Sequence, residues 1–416
     1  MKRYLLTLLS AAFAFCGIGA YYAFGTRESL PEFRLAAVKG DAAEAAAIRL
    51  GATYGSGIDI YPEHLEIGAE GSEYDDKASF YRRTILEARW IYQDPDIRQW
   101  IRDYRQFMRG KGNMASFYKD GEWLIYAEVA PAGHRAAEPE AVLRVHLLNL
   151  ASGKGSRLEM RTAGRIAGGY AGVEDVQRLG NRLHILTTQR VWPAPGNGPA
   201  KETVPEFHDY VVDLDSGKLA EDRNIPYGTE DGSKAGVYLS TITESVFYAP
   251  SDCAILRVQQ YGSGPSSSKE ERERFYAYDY ASGQATELPA SWTKAGEHRV
   301  LVLRNGRLNV LDWTQPALQA ASYDLRSGQV RSEISLKASQ LGADAFKEAR
   351  VQNGRIYVRY VKDGTPMFAV ADDGSGKWLF EGRVEPVGAL ADDDEAMKNL
   401  QIIAMSVNRL PAGDAE

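Results

Sequence analysis

The sequence contains little cysteine and little histidine. Its 416 residues include two cysteines, Cys16 and Cys253, and six histidines scattered along the chain. Two cysteines cannot supply a disulfide framework or a cysteine metal site, and no two histidines have metal-ligand spacing. We therefore expect no metal site, and we interpret His146 and His184, which lie in strand patterns, as partnered strand residues.

Motifs for common enzymatic chemistries are also missing. The chain has no G-x-x-x-x-G-K-[ST] loop, no G-x-S-x-G elbow and no H-E-x-x-H pair. The sequence therefore predicts no catalytic residues and no cofactor. A glycosidase needs only two carboxylates facing each other across a cleft, and sequence spacing does not show which acids meet. A carbohydrate-active enzyme that uses axial carboxylates of a ring fold therefore stays open as the alternative function.

Two acidic segments resemble cation sites only in part. Asp213-x-Asp215-x-Gly217 opens like a calcium loop, but positions five and twelve are Gly217 and Asn224 instead of acidic ligands. The run 392–395 contains four carboxylates and is typical of a solvated loop. We interpret the first segment as a turn and the second as surface.

The charge balance excludes one class of partner. The chain has 49 Lys and Arg against 56 Asp and Glu, a net charge of −7. This acidic balance argues against nonspecific nucleic-acid binding. The 40 glycines and 23 tyrosines favour many short strands joined by tight turns.

The N-terminal segment is the longest apolar run. Residues 4–25 carry no charge, which is enough length to cross a ~30 Å hydrocarbon core as a helix. Lys2 and Arg3 predict the N-terminus inside and the body outside the cytoplasm. We assign residues 1–25 to a signal anchor, and its apolar contacts with lipid to Leu5, Leu6, Leu8, Leu9, Phe13, Phe15 and Ile18. Cleavage after Gly25, which would give a secreted protein, is the alternative.

Residues 78–110 are predicted to be helical. Asp94 and Pro95 suit an N-cap and first helical position, and Gly110 suits the stop. The apolar residues between them form one stripe, whereas the other face carries arginines at 98, 102, 105 and 109. We favour a helix packed on the body with its arginines in solvent. A basic helix resting on anionic lipid is the alternative.

A repeated theme of strands and turns follows from about residue 113. One turn has the form Asp/Asn-x-x-Ser-Gly, and its five copies span 149–153, 213–217, 279–283, 324–328 and 372–376. The first residue can bond turn amides, and the glycine supplies a left-handed position. An earlier turn of each unit falls at 120–121, 180–181, 251–252, 305–306 and 353–354. Its Asn-Gly and Asp-Gly copies predict type I′ hairpins.

Units of about 45–65 residues with four strands each are typical of β-propeller blades. We predict an all-β propeller of about six blades, with five or seven left open. Residues 57–68 and 400–407 are the candidates for a composite closing blade. The predicted domains are the anchor (1–25), an N-terminal strand and helical segment (26–110) and the propeller repeats (111–410). Inserts at 192–206 and 263–273 would be loops on one face and are candidate binding loops.

The Asp-x-x-Ser-Gly-Lys turn followed by an apolar strand resembles the blades of quinoprotein, YncE-like and TolB-like propellers. Quinoprotein blades usually carry a tryptophan after this turn, and only Trp378 does so here, so no quinone cofactor is expected. The whole chain is similar to membrane-anchored envelope proteins of Gram-positive spore formers. Together these features predict a noncatalytic, extracytoplasmic binding or scaffolding protein that contacts an envelope protein or polymer.

Overall fold

The computed structural model describes residues 30–55, 62–74, 95–131, 140–191, 204–228, 237–243, 247–261, 272–293, 298–314, 316–388 and 393–408. The chain divides into two compact units. Unit 1 comprises residues 1–77, 357–371 and 378–416, and unit 2 comprises residues 78–356 and 372–377.

Four strands precede the repeats: β1 (Glu32–Gly40), β2 (Ile48–Tyr54), β3 (Glu63–Ile67) and β4 (Ser72–Tyr74). The described helices are short: α1 (Pro95–Asp103), α2 (Arg105–Met108), α3 (Ala290–Thr293) and α4 (Asp393–Lys398). Single 3₁₀ turns occur at Ala42–Ala45, Met114–Ser116 and Ala338–Gln340.

The described part of unit 2 contains one seven-stranded and two four-stranded antiparallel sheets, built from strands that follow one another along the chain. The two halves of the seven-stranded sheet, which share β8, are sheets I and II. Sheet I consists of β5 (Phe117–Lys119), β6 (Trp123–Pro131), β7 (Glu140–Asn149) and the first half of β8 (Gly155–Leu179). Sheet II consists of the second half of β8, β9 (Arg182–Val191), β10 (Val204–Asp213) and β11 (Lys218–Ile225). Sheet III consists of β12 (Val237–Ile242), β13 (Cys253–Gln260), β14 (Arg272–Asp279) and β15 (Gln284–Glu287). Sheet IV consists of β16 (Arg299–Arg304), β17 (Arg307–Thr314), β18 (Ala317–Asp324) and β19 (Gln329–Lys337). The strand β20 (Ala345–Gln352) also belongs to unit 2.

Consecutive sheets of unit 2 stack through apolar cores. In β9, Ile185 packs with side chains of sheet I, whereas its neighbour Leu186 packs with side chains of sheet III. In β13, Leu256 likewise packs with sheet II, and Ile255 with sheet IV. Successive side chains of a strand point to opposite faces, so these strands are apolar at consecutive positions because both faces are covered.

The remaining strands are β21 (Arg355–Lys362), β22 (Thr365–Asp372), β23 (Trp378–Val387) and β24 (Leu400–Val407). In unit 1, strands from the two ends of the chain pair. Sheet V contains β1, β23, β22 and β21 side by side, and sheet VI has the order β24-β2-β3-β4. A composite sheet with 400–407 was predicted, but the direct partner of β24 is β2, which the sequence analysis missed. The predicted segment 57–68 supplies β3, and residues 57–61 lie outside the described part.

The chain is all-β, as predicted. Its described residues form six sheets of four or five strands, if β8 is counted in both sheets that it joins. This strand content is consistent with a β-propeller of about six blades.

The five Asp/Asn-x-x-Ser-Gly turns form as predicted. In each, the glycine N–H donates to the carbonyl of the first residue at 2.8–2.9 Å, and the glycine φ lies between 64° and 70°. The side-chain oxygen of the first residue accepts from the N–H of the serine, as Asp324 does from Ser327 at 2.9 Å. Asp213 has this role, which confirms that 213–217 is a turn.

The earlier turns follow the prediction only in part. Asn305–Gly306 and Asn353–Gly354 have two positive φ angles each, as type I′ requires. Neither Asp120 nor Gly121 has a positive φ. Asp120 Oδ1 instead accepts from the N–H groups of Glu122 and Trp123, both at 2.7 Å, and this side-chain cap replaces the hairpin geometry.

The predicted helix packs on sheet I. It is interrupted at Tyr104 into α1 and α2, and Gly110, with φ +79°, follows its end. Ile97, Trp100 and Met108 are buried in one cluster with Phe117 and Tyr126, while the four arginines at 98, 102, 105 and 109 are exposed. The apolar stripe is therefore covered by protein, as the favoured interpretation expects. Asp94 lies outside the described residues.

The anchor residues Leu5, Leu6, Leu8, Leu9, Phe13, Phe15 and Ile18 also lie outside the described residues. No helix in the described ranges is both long enough and apolar enough to cross a membrane.

Candidate functional site

The hairpin turns of three successive sheets of unit 2 line one cavity of about 470 Å³. Sheet II contributes Arg178, sheet III contributes the segment 250–252, and sheet IV contributes 305–307 together with Asp324 and Arg326. We call this space the Arg326 cavity. The repeat architecture places the turns at the same end of each sheet, and charged turn residues are thereby brought together.

A second cavity of about 420 Å³, the Arg304 cavity, shares Asn305 and Arg307 with the first. It is lined mainly by sheet IV, including Arg304 and Arg331, and by residues of the turns at 353–354 and 372–376, including Asp373. Because two lining residues are common to both, the cavities are adjacent and have Arg307 in their shared wall.

Arg304 and Arg307 form the central feature of the Arg304 cavity. The turn Asn305–Gly306, with φ values of +50° and +69°, makes them direct Cα partners at the end of the β16–β17 hairpin. Directly paired residues project from the same face of a sheet, so two guanidinium groups lie on one face. Like charges directly opposite each other destabilise a sheet.

No carboxylate in the described part of the chain forms an ion pair with either of these arginines. The side chains of Arg304 and Arg307 make no hydrogen bond and no ion pair among the described residues. Asp324 is the Cα partner of Arg307 in β18, but its oxygens are engaged. Its Oδ1 accepts from the N–H of Ser327 at 2.9 Å, and its Oδ2 accepts from Arg331 at 3.0 Å. These bonds lower the pKa of Asp324 to about 2 and keep it ionised for them.

Asp373, the acid among the residues that line the Arg304 cavity, is half-buried. Burial, and then the charge of Asp372, raise the pKa of Asp373, while Arg304, Arg355 and Arg307 act in the opposite direction. Arg304 and Arg307 outnumber this one carboxylate of the lining, so an excess of positive charge remains even when Asp373 is ionised.

The Arg326 cavity differs in its charge pattern. Arg326 pairs with Asp252, and Arg178 donates to Asp120 at 3.1 Å and to Glu122 at 3.2 Å. Both arginines therefore have carboxylate partners, Asp252 in the lining and Asp120 and Glu122 beside it, so their charges are largely compensated. Arg307, in the shared wall, is the exception.

This arrangement can bind anions. A guanidinium group is permanently charged and presents a planar fork of donors that matches a carboxylate or a phosphate. Cavities of 300–1,000 Å³ are of the size that small ligands occupy. Among the described residues, no three histidine, cysteine or acidic side chains are grouped closely enough to hold a metal ion.

A second polar cluster lies in the core between sheets II and III. Asp209 accepts hydrogen bonds from Tyr278 at 2.7 Å and is 2.9 Å from His184 Nδ1, and Tyr280 donates to Asp175 at 2.5 Å. The prediction that His184 is a partnered strand residue is therefore confirmed. Both aspartates are at most 1 % exposed, so they join sheets and cannot contact a ligand.

His208 is a histidine whose setting the sequence analysis missed. Its Nδ1 is 2.8 Å from Asp222 and its Nε2 is 3.0 Å from Glu206. Burial alone would lower the pKa of His208, but the hydrogen bonds and charges of Asp222 and Glu206 outweigh it and raise the pKa to about 9. In the sequence, the sign of this setting is the spacing Glu206-x-His208, which places both residues on the same face of a strand. His146 lies half-buried in β7 with its ring against Tyr126.

Glu174 is an acid that an enzyme could use. It is half-buried and accepts hydrogen bonds from Thr188 at 2.7 Å and Thr241 at 3.2 Å. Burial raises the pKa of Glu174, and the two threonine hydrogen bonds oppose that effect. Thr188 also lines a cavity of about 270 Å³ beside Tyr238, whose ring is half exposed.

Most of the predicted binding loops lie outside the described residues. Of 192–206 and 263–273, the structure describes 204–206 in β10 and 272–273 in β14. In these parts, Glu206 contacts His208, and Glu273 accepts from Arg257 and Arg299. Of the acidic run 392–395, residues 393–395 begin α4.

Comparison with known proteins adds little. No protein-family profile and no curated protein matches the sequence. Among solved structures, a Synechocystis apocarotenoid oxygenase variant has a TM-score of 0.35 at 12 % identity, and the match covers 69 % of this chain and 61 % of that one. TolB from Acinetobacter baumannii has a TM-score of 0.29 at 10 % identity, with 82 % and 64 % covered. A Dos1 propeller has a TM-score of 0.29 at 11 % identity, with 64 % and 71 % covered. This chain spans less than two thirds of the first two, and likeness at this level carries no argument about function.

Proposed function

We propose that the protein is a noncatalytic binding or scaffolding protein of the cell envelope, anchored by residues 1–25 with its body outside the cytoplasm. Its ligand is an anion, held in the Arg304 cavity by Arg304 and Arg307. The observation that carries the binding proposal is the pairing of two arginines whose side chains have no ion-pair partner among the described residues, in a cavity lined by a single carboxylate, that of Asp373. An anion placed between them would relieve their repulsion and form charge-assisted hydrogen bonds, each contributing about 1.5–3 kcal/mol.

The envelope placement rests on the sequence. The uncharged run at 4–25, preceded by Lys2 and Arg3, supports an anchor with the body outside. The resemblance to membrane-anchored envelope proteins of Gram-positive spore formers would place the chain in such an envelope. Membrane fractionation and digestion by an external protease test this part. A chain that remains in the soluble cytoplasmic fraction would contradict it.

Anion binding is tested on the full chain in detergent. Thermal unfolding is followed with sodium glucuronate and with inorganic phosphate, against sodium chloride at equal ionic strength. A ligand that binds only the folded state stabilises it by about 2.7 kcal/mol at a hundredfold excess over its dissociation constant. We expect stabilisation by at least one anion, and its loss in Arg304→Gln and Arg307→Gln.

The matched control is Arg157→Gln. Arg157 is exposed in sheet I, pairs with Glu159 and lines neither cavity. The control should retain binding. Equal stabilisation of the control and of the Arg304→Gln/Arg307→Gln double variant would show that the anion binds elsewhere, and no stabilisation by either anion would remove the proposal.

A second candidate function is the hydrolysis of glycans, with Glu174 as the candidate acid: burial raises its pKa, and Thr188, which donates to it at 2.7 Å, lines a cavity of about 270 Å³. Turnover in a broad glycan screen, abolished in Glu174→Gln, would establish it. Absence of turnover at pH 5–7 would leave binding as the function.

A further inference from the structure

The two cavities have different charge patterns, and this difference narrows the class of ligand. In the Arg304 cavity, Arg304 and Arg307 lack carboxylate partners among the described residues. In the Arg326 cavity, Arg326 is paired with Asp252, and Arg178 with Asp120 and Glu122. A ligand that extends past Arg307 from the Arg304 cavity into the Arg326 cavity therefore contacts excess positive charge at one end. At its other end it contacts arginines whose charge is balanced by carboxylates.

A site that contains both carboxylates and guanidinium groups is suited to binding hydroxyl groups. A hydroxyl donates one hydrogen bond and accepts others, so it can bridge a carboxylate and a guanidinium without adding charge. A second anionic group would instead be repelled by Asp252 and Asp324 in the Arg326 cavity. An apolar group in the Arg326 cavity would leave the charged side chains there without solvent and without hydrogen-bond partners, which is energetically costly.

We propose that the two cavities together bind an acidic glycan. Its anionic group lies between Arg304 and Arg307, and the neighbouring neutral, hydroxyl-rich sugar lies in the Arg326 cavity against Arg326 and Asp252. The inference rests on the proposed function and specifies its ligand class. The cavity volumes of about 420 and 470 Å³ leave room for one sugar residue in each.

The anionic group can be the carboxylate of a uronic acid or a phosphate on a sugar, because a guanidinium fork binds both. Two pairs of probes separate these sources. The first pair is glucuronate and glucuronosyl-glucose, and the second is glucose 1-phosphate and maltose 1-phosphate. Cellobiose is the uncharged disaccharide.

Dissociation constants are measured by calorimetry on the full chain in detergent. We expect the disaccharide of at least one pair to bind about tenfold more tightly than its monosaccharide, as one added hydrogen bond to a charged group would provide. We expect cellobiose to bind at least about tenfold more weakly than that disaccharide, because it lacks the charge that Arg304 and Arg307 hold.

Variants test whether the tighter binding of the disaccharide comes from contacts in the Arg326 cavity. Arg326→Gln and Asp252→Asn should remove the advantage of the disaccharide and leave monosaccharide binding unchanged. Arg326 is exposed, so its replacement does not disturb the core, and Asp252→Asn keeps the side-chain shape. Arg304→Gln should weaken both members of the pair alike.

The outcomes separate the two proposals. If the anionic monosaccharides bind through Arg304 and the disaccharides bind no better, the acidic-glycan inference is wrong while anion binding stands. If the disaccharide advantage survives in both Arg326→Gln and Asp252→Asn, the second sugar lies elsewhere and the inference is also wrong. If no anion binds, both the proposed function and the acidic-glycan inference are wrong.

Discussion

The hydroxyl of Tyr280 donates a hydrogen bond of 2.5 Å to Asp175 Oδ2 and thereby joins sheet III to sheet II inside the core of unit 2. Both residues are at most 1 % exposed. Burial, followed by the charge of Asp175, raises the pKa of Tyr280 well above its usual value, so the phenol stays protonated and remains a donor.

Tyr280→Phe removes this donor without changing the ring. We expect a loss of about 1–3 kcal/mol in the free energy of unfolding, because a buried carboxylate loses a hydrogen-bond partner. Denaturant unfolding measures the loss. Tyr238→Phe is the control, since the ring of Tyr238 is half exposed, and it should cost almost nothing. Equal stability of Tyr280→Phe and the wild type would mean that the bond does not contribute.

His208 predicts a dependence of stability on pH. Its pKa is about 9 in the folded chain and about 6.5 in an unfolded one, so the folded state holds the proton more tightly. The stabilisation is complete below about pH 6.5 and is lost as the pH rises through 9. We expect the unfolding free energy of the wild type relative to His208→Gln to fall by up to about 3 kcal/mol over this range.

The control for His208 is Gln319→Ala, at an exposed position of β18 in unit 2, because glutamine does not titrate. The difference between this variant and the wild type should be flat between pH 6 and 10. A flat difference for His208→Gln as well would show that Asp222 and Glu206 do not hold the histidine proton.

Two turn glycines should differ in their tolerance of alanine. Gly328 has φ +64°, and a Cβ at this position would meet nothing within 4 Å, so Gly328→Ala should cost only the backbone strain of about 1–2 kcal/mol. At Gly376, with φ +68°, a Cβ would lie 2.6 Å from Ile334 Cγ2. Gly376→Ala should therefore cost about 1–3 kcal/mol more, as overpacking does. Denaturant unfolding of the two variants compares them directly, and equal losses would show that Ile334 moves aside freely.

Trp100 should carry the attachment of α1 to sheet I. Its ring lies 4.7 Å from the ring of Tyr248 and 5.7 Å from that of Phe117, and it is 4 % exposed. Trp100→Ala should cost about 3–5 kcal/mol of unfolding free energy. Arg102→Ala, on the exposed face of the same helix, should stay within about 0.5 kcal/mol of the wild type. If both variants unfold alike, α1 does not contribute to the stability of unit 2.

Features set by a few neighbouring residues could be predicted from the sequence. The five Asp/Asn-x-x-Ser-Gly turns form as expected because every bond that defines them lies within five positions. Asn305–Gly306 and Asn353–Gly354 form as expected for the same reason. Asp120–Gly121 differs because the carboxylate of Asp120 caps two N–H groups, an alternative that the dipeptide alone does not exclude.

Features that depend on distant residues could not be predicted. The sequence Arg304-Asn305-Gly306-Arg307 shows two arginines beside a turn, but not that they lack partners among the described residues. That condition depends on Asp324 being engaged by Ser327 and Arg331. The partner of β24 was also missed, because β2 has a short and ordinary strand pattern.

The pairing of β2 with β24 also sets the order in which the chain can fold during its synthesis. Ser406 donates to the carbonyl of Arg49 from 357 positions away, so sheet VI lacks its first strand until the ribosome has released residues 400–407. The sheets of unit 2 are built from strands that follow one another, and each can pair as it emerges. During synthesis β2 therefore emerges before the strand that covers one of its edges, and unit 1 would be the last part of the protein to resist proteases.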